Sequence, residues 1–252
     1  MEWMNRKQRE DFDTVCLEKC ELWQGDCLEY MRTLEDESID LIVTDPPYPT
    51  TSRGNAGNSG GMLQKEINKK GKVFEHNNID CTEYAPEFYR VLKEGSHCYV
   101  MTNHINLIKM LNVFTDCGFH FIKSLIWNKG NKIMGQYYMS QFEYILFFRK
   151  GYGKKINNCG TADILSVPNK KTKDESGKNI HDTEKPVELM KILIENSTQK
   201  GDVVLDPFVG VGASALACIE SERNYIGIEL DEGYFNIAKK RIDEAIKGGT
   251  NG

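Results

Sequence analysis

The 252-residue sequence lacks the patterns that mark several large classes of protein. Its longest apolar runs, such as Tyr144–Phe148, are far shorter than the roughly 20 residues that a membrane-spanning helix needs. The first residues, MEWMNRKQREDFD, are polar, and we expect no secretory signal there. No internal repeat is visible. These absences favour a globular protein of the cytoplasm that has no membrane partner.

Cysteine is present without the spacing of a metal or redox site. The eight cysteines are scattered, with no C-x-x-C pair and no cluster of cysteine and histidine at zinc-binding distances along the chain. We therefore expect reduced thiols in a cytosolic protein, and no metal requirement. The dipeptide Pro-Cys is also absent, which argues against the thiolate chemistry of cytosine C5 methylation.

The net charge of −5 conceals two basic segments. Residues 123–178 contain 11 Lys/Arg against 4 Asp/Glu, and residues 53–72 contain 5 against 1. Locally basic segments on an acidic body can follow a phosphate backbone while the body stays soluble. Both segments are candidates for contacts with nucleic acid, although solvated loops would carry the same charges.

Strand-like and helix-like segments alternate along the chain. Predicted strands cover 22–25, 39–44, 97–102, 119–127, 142–149, 203–206 and 225–229, and predicted helices cover 27–34, 82–92, 105–117, 183–198, 212–222 and 231–246. This alternation predicts one α/β domain over 1–252 with a doubly wound, mostly parallel sheet. Ligands bind such sheets at the carboxyl ends of strands, where the sequence places Asp45, Asp206 and Glu229.

The sequence VVLDPFVGVGASALA at 203–217 combines a strand, an acid, a glycine loop and a helix. Gly210 and Gly212 allow a ligand to approach the backbone closely, and Glu229 can accept hydrogen bonds from ribose hydroxyls. The spacing Gly210-x-Gly212-x-x-Ala215 also fits a dinucleotide fingerprint, so a nicotinamide or flavin cofactor stays open. Asp206 disfavours a pyrophosphate here. S-adenosylmethionine, which has a ribose and two cationic groups but no phosphate, fits better.

The sequence LIVTDPPY at 41–48 ends an apolar strand with an acid, two prolines and an aromatic ring. The exocyclic amine of adenine or cytosine is a poor nucleophile because its lone pair is delocalised into the ring. The Asp45 carboxylate and the Pro46 carbonyl could accept hydrogen bonds from the two N–H groups of this amine. The two prolines would hold both acceptors rigidly. Tyr48 could stack on a base that has been rotated out of the duplex. The methyl group would then transfer directly, without a covalent enzyme intermediate.

These motifs resemble those of the S-adenosylmethionine-dependent DNA amino-methyltransferases, which modify N6 of adenine or N4 of cytosine. The matching segments are GDCLEYM (25–31), LIVTDPPY (41–48), IWNKG (126–130), QFEYILFFRKG (141–151), HDTEKPVELM (181–190) and LDPFVGVGASALA (205–217). Their order is similar to that of the permuted β group. The resemblance implies a Rossmann-like methyltransferase fold with inserted DNA-facing loops, double-stranded DNA as partner, and S-adenosylhomocysteine as product.

The resemblance also implies roles for individual residues. The implied catalytic residues are Asp45, Pro46, Pro47 and Tyr48. The implied cofactor-binding residues are Asp26, Cys27, Thr183, Lys185, Pro186, Asp206, Phe208, Gly210, Gly212, Ser214, Glu229 and Leu230. A DPPY motif is more typical of adenine enzymes than SPPY, so we expect N6-adenine methylation; cytosine N4 methylation, RNA base methylation and a non-catalytic DNA-binding module stay open.

Two segments are expected to face the DNA. Residues 49–80 would form a loop beside the catalytic strand, and residues 151–180 would form a short target-recognition region. The expected phosphate contacts are Arg53, Lys150, Lys154, Lys155, Lys170, Lys171 and Lys173. Dimers are common in the group, so a homodimer is a further expectation, in a bacterial, archaeal or phage-encoded setting.

Overall fold

The computed structural model describes residues 14–17, 20–47, 79–133, 137–153, 155–173, 177 and 184–249. Outside these residues lie Tyr48, Arg53, Lys154 and Thr183, together with almost all of the 49–80 loop. The strands are β1 Thr14–Leu17, β2 Cys20–Gln24, β3 Ile39–Thr44, β4 Leu92–Thr102, β5 His120–Ile133, β6 Ser140–Arg149, β7 Ile164–Ser166, β8 Val203–Asp206 and β9 Asn224–Glu229. The helices are α1 Cys27–Met31, α2 Cys81–Val91, α3 Leu107–Asp116, α4 Val187–Ser197, α5 Ala213–Glu220 and α6 Glu232–Gly249.

The described strands form one sheet in the order β1-β2-β9-β8-β3-β4-β6-β5-β7. Pairing is parallel from β2 through β9, β8 and β3 to β4, and again between β5 and β7. Strands β1 and β6 run antiparallel to their neighbours. The predicted doubly wound, mostly parallel sheet is confirmed. Strands β3 and β8 meet where the strand order reverses, which is the usual ligand-binding position of this architecture.

Helices cover both faces of the sheet. Helices α1, α2 and α3 pack into one hydrophobic cluster, and α4, α5 and α6 pack into a second on the other face. Strand β3 runs between them, and Leu41, Ile42 and Val43 are fully buried, as expected of a strand covered on both sides. Among the described helices, none is both long and apolar enough to cross a membrane.

Two strands were not predicted, and β7 changes how residues 151–180 are interpreted. Its three residues pair with Ile126–Asn128 of β5, and Leu165 alone of the three is buried. A strand this short gives no usable alternation. Because β7 is parallel to β5, it runs in the direction of the parallel strands, from the edge of the sheet at their amino ends to the edge at their carboxyl ends. The described residues just before β7 and those just after it therefore lie at opposite ends of the strands.

Helix α2 begins at a capping box directly after the 49–80 loop. The Asp80 carboxylate accepts hydrogen bonds from the Thr82 backbone N–H and side-chain hydroxyl, and the Asp80 backbone N–H donates to Glu83 Oε1 at 2.8 Å. Asp80 also pairs with Lys109 of α3. These bonds hold the pKa of Asp80 at about 2, because the Lys109 hydrogen bond and the cap favour the ionised form.

We expect Asp80→Ala to lower the free energy of unfolding by about 1 kcal/mol, the usual cost of losing a helix cap. Asp80→Asn is the matched variant, because asparagine caps helices as well as aspartate does while losing the exposed ion pair, which contributes little. Urea denaturation measures both. Equal losses in the two variants would show that the ion pair, not the cap, provides the stability.

Candidate active site

Three acidic residues meet at one edge of the sheet. Asp45 follows β3, Asp206 ends β8 and Glu229 ends β9, and these three strands are neighbours. The Oγ1 hydroxyl of Thr44 donates a 2.7 Å hydrogen bond to Asp206 Oδ1, which joins the tips of β3 and β8. The three strand ends that the sequence singled out are therefore neighbours in the sheet.

Glu229 is held by the backbone of the glycine loop. The Gly210 N–H donates to Glu229 Oε2 at 2.7 Å, and the Asp231 N–H donates to Oε1 at 2.9 Å. Gly210 and Gly212 have φ values of +57° and +87°, a region that favours glycine. Burial raises the pKa of Glu229 to about 7, although both backbone N–H groups oppose the shift. Each carboxylate oxygen keeps a lone pair for a further donor.

Asp206, one of the expected cofactor-binding residues, lies beneath the glycine loop. Its carboxylate is 2% exposed and accepts hydrogen bonds from Thr44, from the Phe208 N–H at 3.1 Å and from the Ser214 hydroxyl. Ser214, also expected at the cofactor, is buried against Tyr225. Both side chains fix the glycine loop from beneath. Burial raises the pKa of Asp206 to about 6.

The expected cofactor residues near α1 lie beside Glu229. The Gly25 N–H donates to the Glu229 carbonyl at 2.9 Å, and the Asp26 carboxylate caps α1 by accepting from the Leu28 N–H at 2.7 Å. The Cys27 thiol is buried, which raises its pKa to about 12 and leaves it unreactive at neutral pH. At the same edge, Phe208 is half-buried and Leu230 is 47% exposed.

Asp45 is paired through one oxygen. Its Oδ2 atom binds the ammonium group of Lys185, while its Oδ1 atom is buried and has no hydrogen-bond partner among the described residues. Pro46 is buried and Pro47 is half-buried. A buried acceptor without a donor costs on the order of 1–3 kcal/mol. Asp45 Oδ1 can therefore accept a hydrogen bond from a group that is not among the described residues.

Lys185, which the resemblance assigned to the cofactor, turns its side chain to Asp45. The Lys185 ammonium group also lies 3.5 Å from Glu143 Oε2, and Glu143 pairs with Lys129. Burial raises the pKa of Asp45, and the Lys185 charge opposes that shift. The TEKP segment thus supplies a cation to the tip of β3. Pro186 is the N-cap residue of α4 and is buried.

Sequence reasoning missed Glu143 and Lys129 as site residues. Both lie within motifs that the sequence analysis singled out, QFEYILFF and IWNKG, and Glu143 is a charged residue in a largely apolar strand. Their pairing was not predictable, because it needs the antiparallel register that sets Trp127 opposite Glu143. The Trp127 ring lies beneath the network, with the ammonium of Lys129 5.1 Å from its centre.

Glu184 and Arg241 were also missed, and they join the TEKP segment to the glycine loop. Arg241 of α6 pairs with Glu184 at 2.9 Å and donates to the Val211 carbonyl at 2.6 Å. The Glu184 carboxylate also accepts from the Thr172 N–H at 2.8 Å, and the Lys171 ammonium group donates to the Glu184 carbonyl. Three separate segments are thereby fixed around one edge.

The expected phosphate-binding lysines divide between the two edges. The prediction is wrong for Lys150, which is buried at the opposite edge, donates to the Leu92 carbonyl at 2.8 Å and pairs with Glu37. Lys155 is exposed near that edge, close to Asn157, which binds the C-terminal end of α4. Lys170 and Lys173 follow β7 and are exposed at the edge of Asp45. Lys171 is half-buried, and burial lowers its pKa to about 8.

Three aromatic residues before and within β6 lie at the surface. Tyr137 and Tyr138 are 90% and 94% exposed, and Phe142 is 43% exposed. They lie where β5 and β6 extend beyond the end of β4, which is last paired at Thr102. Trp127, in contrast, is buried.

The doubly wound sheet, the glycine loop and the acidic strand ends define a Rossmann-like methyltransferase that uses S-adenosylmethionine. Among the described residues, no group of three or more metal-binding side chains is close enough together to hold a metal ion. Residues 39–240 match the family model of N6/N4 methyltransferases, described as DNA methylases. The chain belongs to this family.

Relatives and solved structures agree with this placement. The chain is 30% identical to the type II methyltransferase M.HinfI of Haemophilus influenzae, over 88% of its own length and 67% of that relative. It is similar to the crystal structure of the M1.HpyAVI–SAM complex, with a TM-score of 0.66 and 25% identity over 88% of this chain and 99% of that one. The PvuII cytosine-N4-specific DNA methyltransferase shares the fold, with a TM-score of 0.70 at 18% identity over 96% and 97% of the two chains.

The pKa of Glu229 gives a test of its expected contact with the ribose. Because this pKa is raised to about 7, ionised Glu229 dominates only above neutral pH. If the ionised carboxylate accepts the ribose hydroxyls, affinity for 5′-methylthioadenosine should rise as pH increases from 6 to 8. This ligand carries the ribose without an amino-acid group that titrates nearby, and calorimetry measures its affinity.

The matched variant is Glu229→Gln, which retains one acceptor oxygen and cannot ionise. It should bind about tenfold more weakly above pH 7, since hydrogen bonds to charged groups contribute about 1.5–3 kcal/mol, and its affinity should not vary with pH. A flat profile in the wild-type protein would contradict the ribose contact.

Proposed function

We propose that the protein transfers a methyl group from S-adenosylmethionine to the N6 amino group of adenine in double-stranded DNA. The observation that carries the proposal is the buried Oδ1 atom of Asp45, an acceptor without a donor among the described residues, at the edge where the glycine loop and Glu229 gather. An amino N–H of the target base would satisfy this atom.

The reaction is a direct displacement. The Asp45 carboxylate and the Pro46 carbonyl accept the two N–H groups of the amine, which frees its lone pair. The nitrogen lone pair forms the new bond to the methyl carbon, while the carbon–sulfur bond breaks and its electron pair returns to the sulfonium, which becomes a neutral thioether. The methylated nitrogen is then acidic and releases one proton to Asp45 or to water. Positioning can supply roughly 7–11 kcal/mol of such a barrier.

The target base must leave the duplex to reach this edge. A paired base keeps its amino group inside the stack, so enzymes that modify it rotate the nucleotide outward into a pocket. In the proposal Tyr48 stacks on that base. Gly210, Gly212 and Glu229 hold the cofactor, with Phe208 and Leu230 beside its flat ring.

The DNA lies along the edge that carries Asp45. In the proposal, Lys170 and Lys173, which are exposed at this edge, contact phosphates, whereas Lys150 is buried and Lys155 lies near the opposite edge. Of the predicted target-recognition region 151–180, we propose that only the residues after β7 face the DNA. The 49–80 loop would contact the DNA together with them. A homodimer stays a prediction.

Asp45→Asn should reduce methyl transfer to DNA on the order of a hundredfold or more, because it replaces the charged acceptor of a preorganised site by a neutral amide. Affinity for S-adenosylhomocysteine should be unchanged, since Asp45 contacts the base and not the ribose. The matched control is Asp40→Asn at the start of the same strand, where Asp40 pairs with Lys93 and accepts from the Val203 N–H. This control should retain methyl transfer.

The methylated base is identified by mass spectrometry of nucleosides from DNA treated with the purified protein. N6-methyladenine is the expected product. N4-methylcytosine would overturn the adenine assignment and leave the DNA amino-methyltransferase class intact, and preferential methylation of RNA in a mixed reaction would overturn the DNA substrate. Retained activity of Asp45→Asn would contradict the role of the carboxylate.

A further inference from the structure

Four charges of alternating sign lead from the tip of β3 to the β5–β6 strand pair. The ammonium group of Lys185 binds Asp45 Oδ2 and lies 3.5 Å from Glu143 Oε2, and the ammonium group of Lys129 binds Glu143 Oε1. The side chain of Lys185 is 6% exposed, that of Lys129 is 11% exposed, and each of the two acids is 20% exposed. In such surroundings water screens the charges weakly, so each one acts strongly on its neighbours.

The end of β4 makes the network possible. Strand β4 lies between β3 and β6 and is last paired at Thr102, opposite Tyr144. Glu143 is the next residue of β6 toward the extended end of the hairpin, so it stands just beyond the end of β4. From this position it reaches the same ammonium group as Asp45, which follows β3.

The geometry around Lys185 distinguishes the two oxygens of Asp45. Lys185 occupies Oδ2, whereas Oδ1 has no donor among the described residues. The nearby carboxylate of Glu143 attracts the same ammonium group, and Lys129 balances the charge of Glu143. A Lys185 that paired with Asp45 alone would have more freedom to bridge both of its oxygens.

We propose that Lys185, Glu143 and Lys129 are positioning residues that hold the Asp45 carboxylate by Oδ2 and keep Oδ1 open for the amino group of the target base. The inference rests on the proposed function, in which Oδ1 accepts that hydrogen bond. Lys185 acts on Asp45 directly. Glu143 and Lys129 act through Lys185, and they link the catalytic strand to the hairpin that projects from the same edge.

The network fixes the direction in which each substitution shifts the pKa of Asp45. Burial raises this pKa, the charge of Lys185 lowers it, and the charge of Glu143 raises it. Removing the charge of Lys185 should therefore raise the pKa of Asp45, and removing the charge of Glu143 should lower it. The ionised carboxylate is the better acceptor, so the methyl-transfer rate should fall as Asp45 takes up a proton at acidic pH. The apparent pKa of this fall, called the acidic limb of the pH–rate profile, should shift with the pKa of Asp45, although it belongs to the coupled groups together.

Other charged groups face the network from the elements around it. Asp206 acts on Asp45 from the end of β8, and Lys171, in the segment after β7, acts on Lys185, Glu143 and Lys129. Burial and the Lys185 charge lower the pKa of Lys171 to about 8, so it remains cationic throughout the acidic range. Neither residue is altered in the variants below.

The test measures single-turnover methyl transfer to DNA, at saturating S-adenosylmethionine and DNA, as a function of pH in the acidic range. Lys185→Met should move the acidic limb to higher pH on the order of one unit, and Glu143→Gln should move it to lower pH. Lys129→Gln should also move the acidic limb to higher pH, but by less than Lys185→Met. If Lys185→Met does not fold, Lys129→Gln still tests the expected shift to higher pH. Thermal unfolding and S-adenosylhomocysteine binding establish that each variant is folded.

The matched control is Lys93→Met, which removes the lysine that pairs with Asp40 at the other end of the same strand. Its acidic limb should coincide with that of the wild type. Shifts of opposite sign for the two kinds of variant support the network, because a loss of packing alone has no reason to depend on the sign of the charge removed.

Limbs that stay unmoved, or that move in one direction for all three variants, would overturn the inference. Such a result leaves the proposed function standing if the wild type still produces N6-methyladenine and Asp45→Asn is inactive. A failed proposed function would appear differently, as another methylated base in the wild type or as retained activity of Asp45→Asn.

Discussion

The structure of the site depends on one contact, the buried pairing of the Asp45 carboxylate with the Lys185 ammonium group. A carboxylate at a covered strand tip loses its hydration, and without a cation it would bind a proton and lose acceptor strength. The charge of Lys185 opposes this protonation, and its ammonium group binds only the Oδ2 atom. The contact also explains why the TEKP segment must reach the tip of β3, and why Glu184 and Arg241 fix that segment to the glycine loop.

The three acids at this edge are stabilised in three different ways, which separates their roles. Asp206 is satisfied by Thr44, Phe208 and Ser214, and it holds the loop. Glu229 receives two backbone N–H groups and keeps lone pairs for a ligand. Asp45 has one oxygen paired and one without a donor among the described residues. Three carboxylates at neighbouring strand ends thus differ in role: Asp206 is structural, Glu229 is proposed to bind the cofactor, and Asp45 is proposed to be catalytic.

Local sequence patterns were sufficient to predict the parallel sheet, the acids at the strand ends and the glycine loop. Each of these features depends only on residues that are adjacent in the sequence. The prediction erred where a role depends on a distant partner. Lys150 belongs to a basic segment, yet the antiparallel direction of β6 carries it to the edge opposite Asp45. Lys185 was assigned from the TEKP motif alone, and its pairing with Asp45, 140 residues away along the chain, was not predicted. The role of Glu143 could not be predicted from the sequence, because its pairing with Lys129 depends on the register between β5 and β6.

The antiparallel insertion of β6 also connects catalysis to the surface proposed to meet DNA. A parallel strand beside β4 would reach this edge only with its last residues, whereas a hairpin made with β5 can extend past it. The extension exposes Tyr137 and Tyr138 beyond the sheet, and the base of the same hairpin supplies Glu143 and Lys129 to the charge network. A displacement of the hairpin would therefore change the position of Lys185 between its two carboxylates. In the proposed function, DNA bound at this edge would act through the hairpin and the Lys185 ammonium group on the orientation of the Asp45 carboxylate.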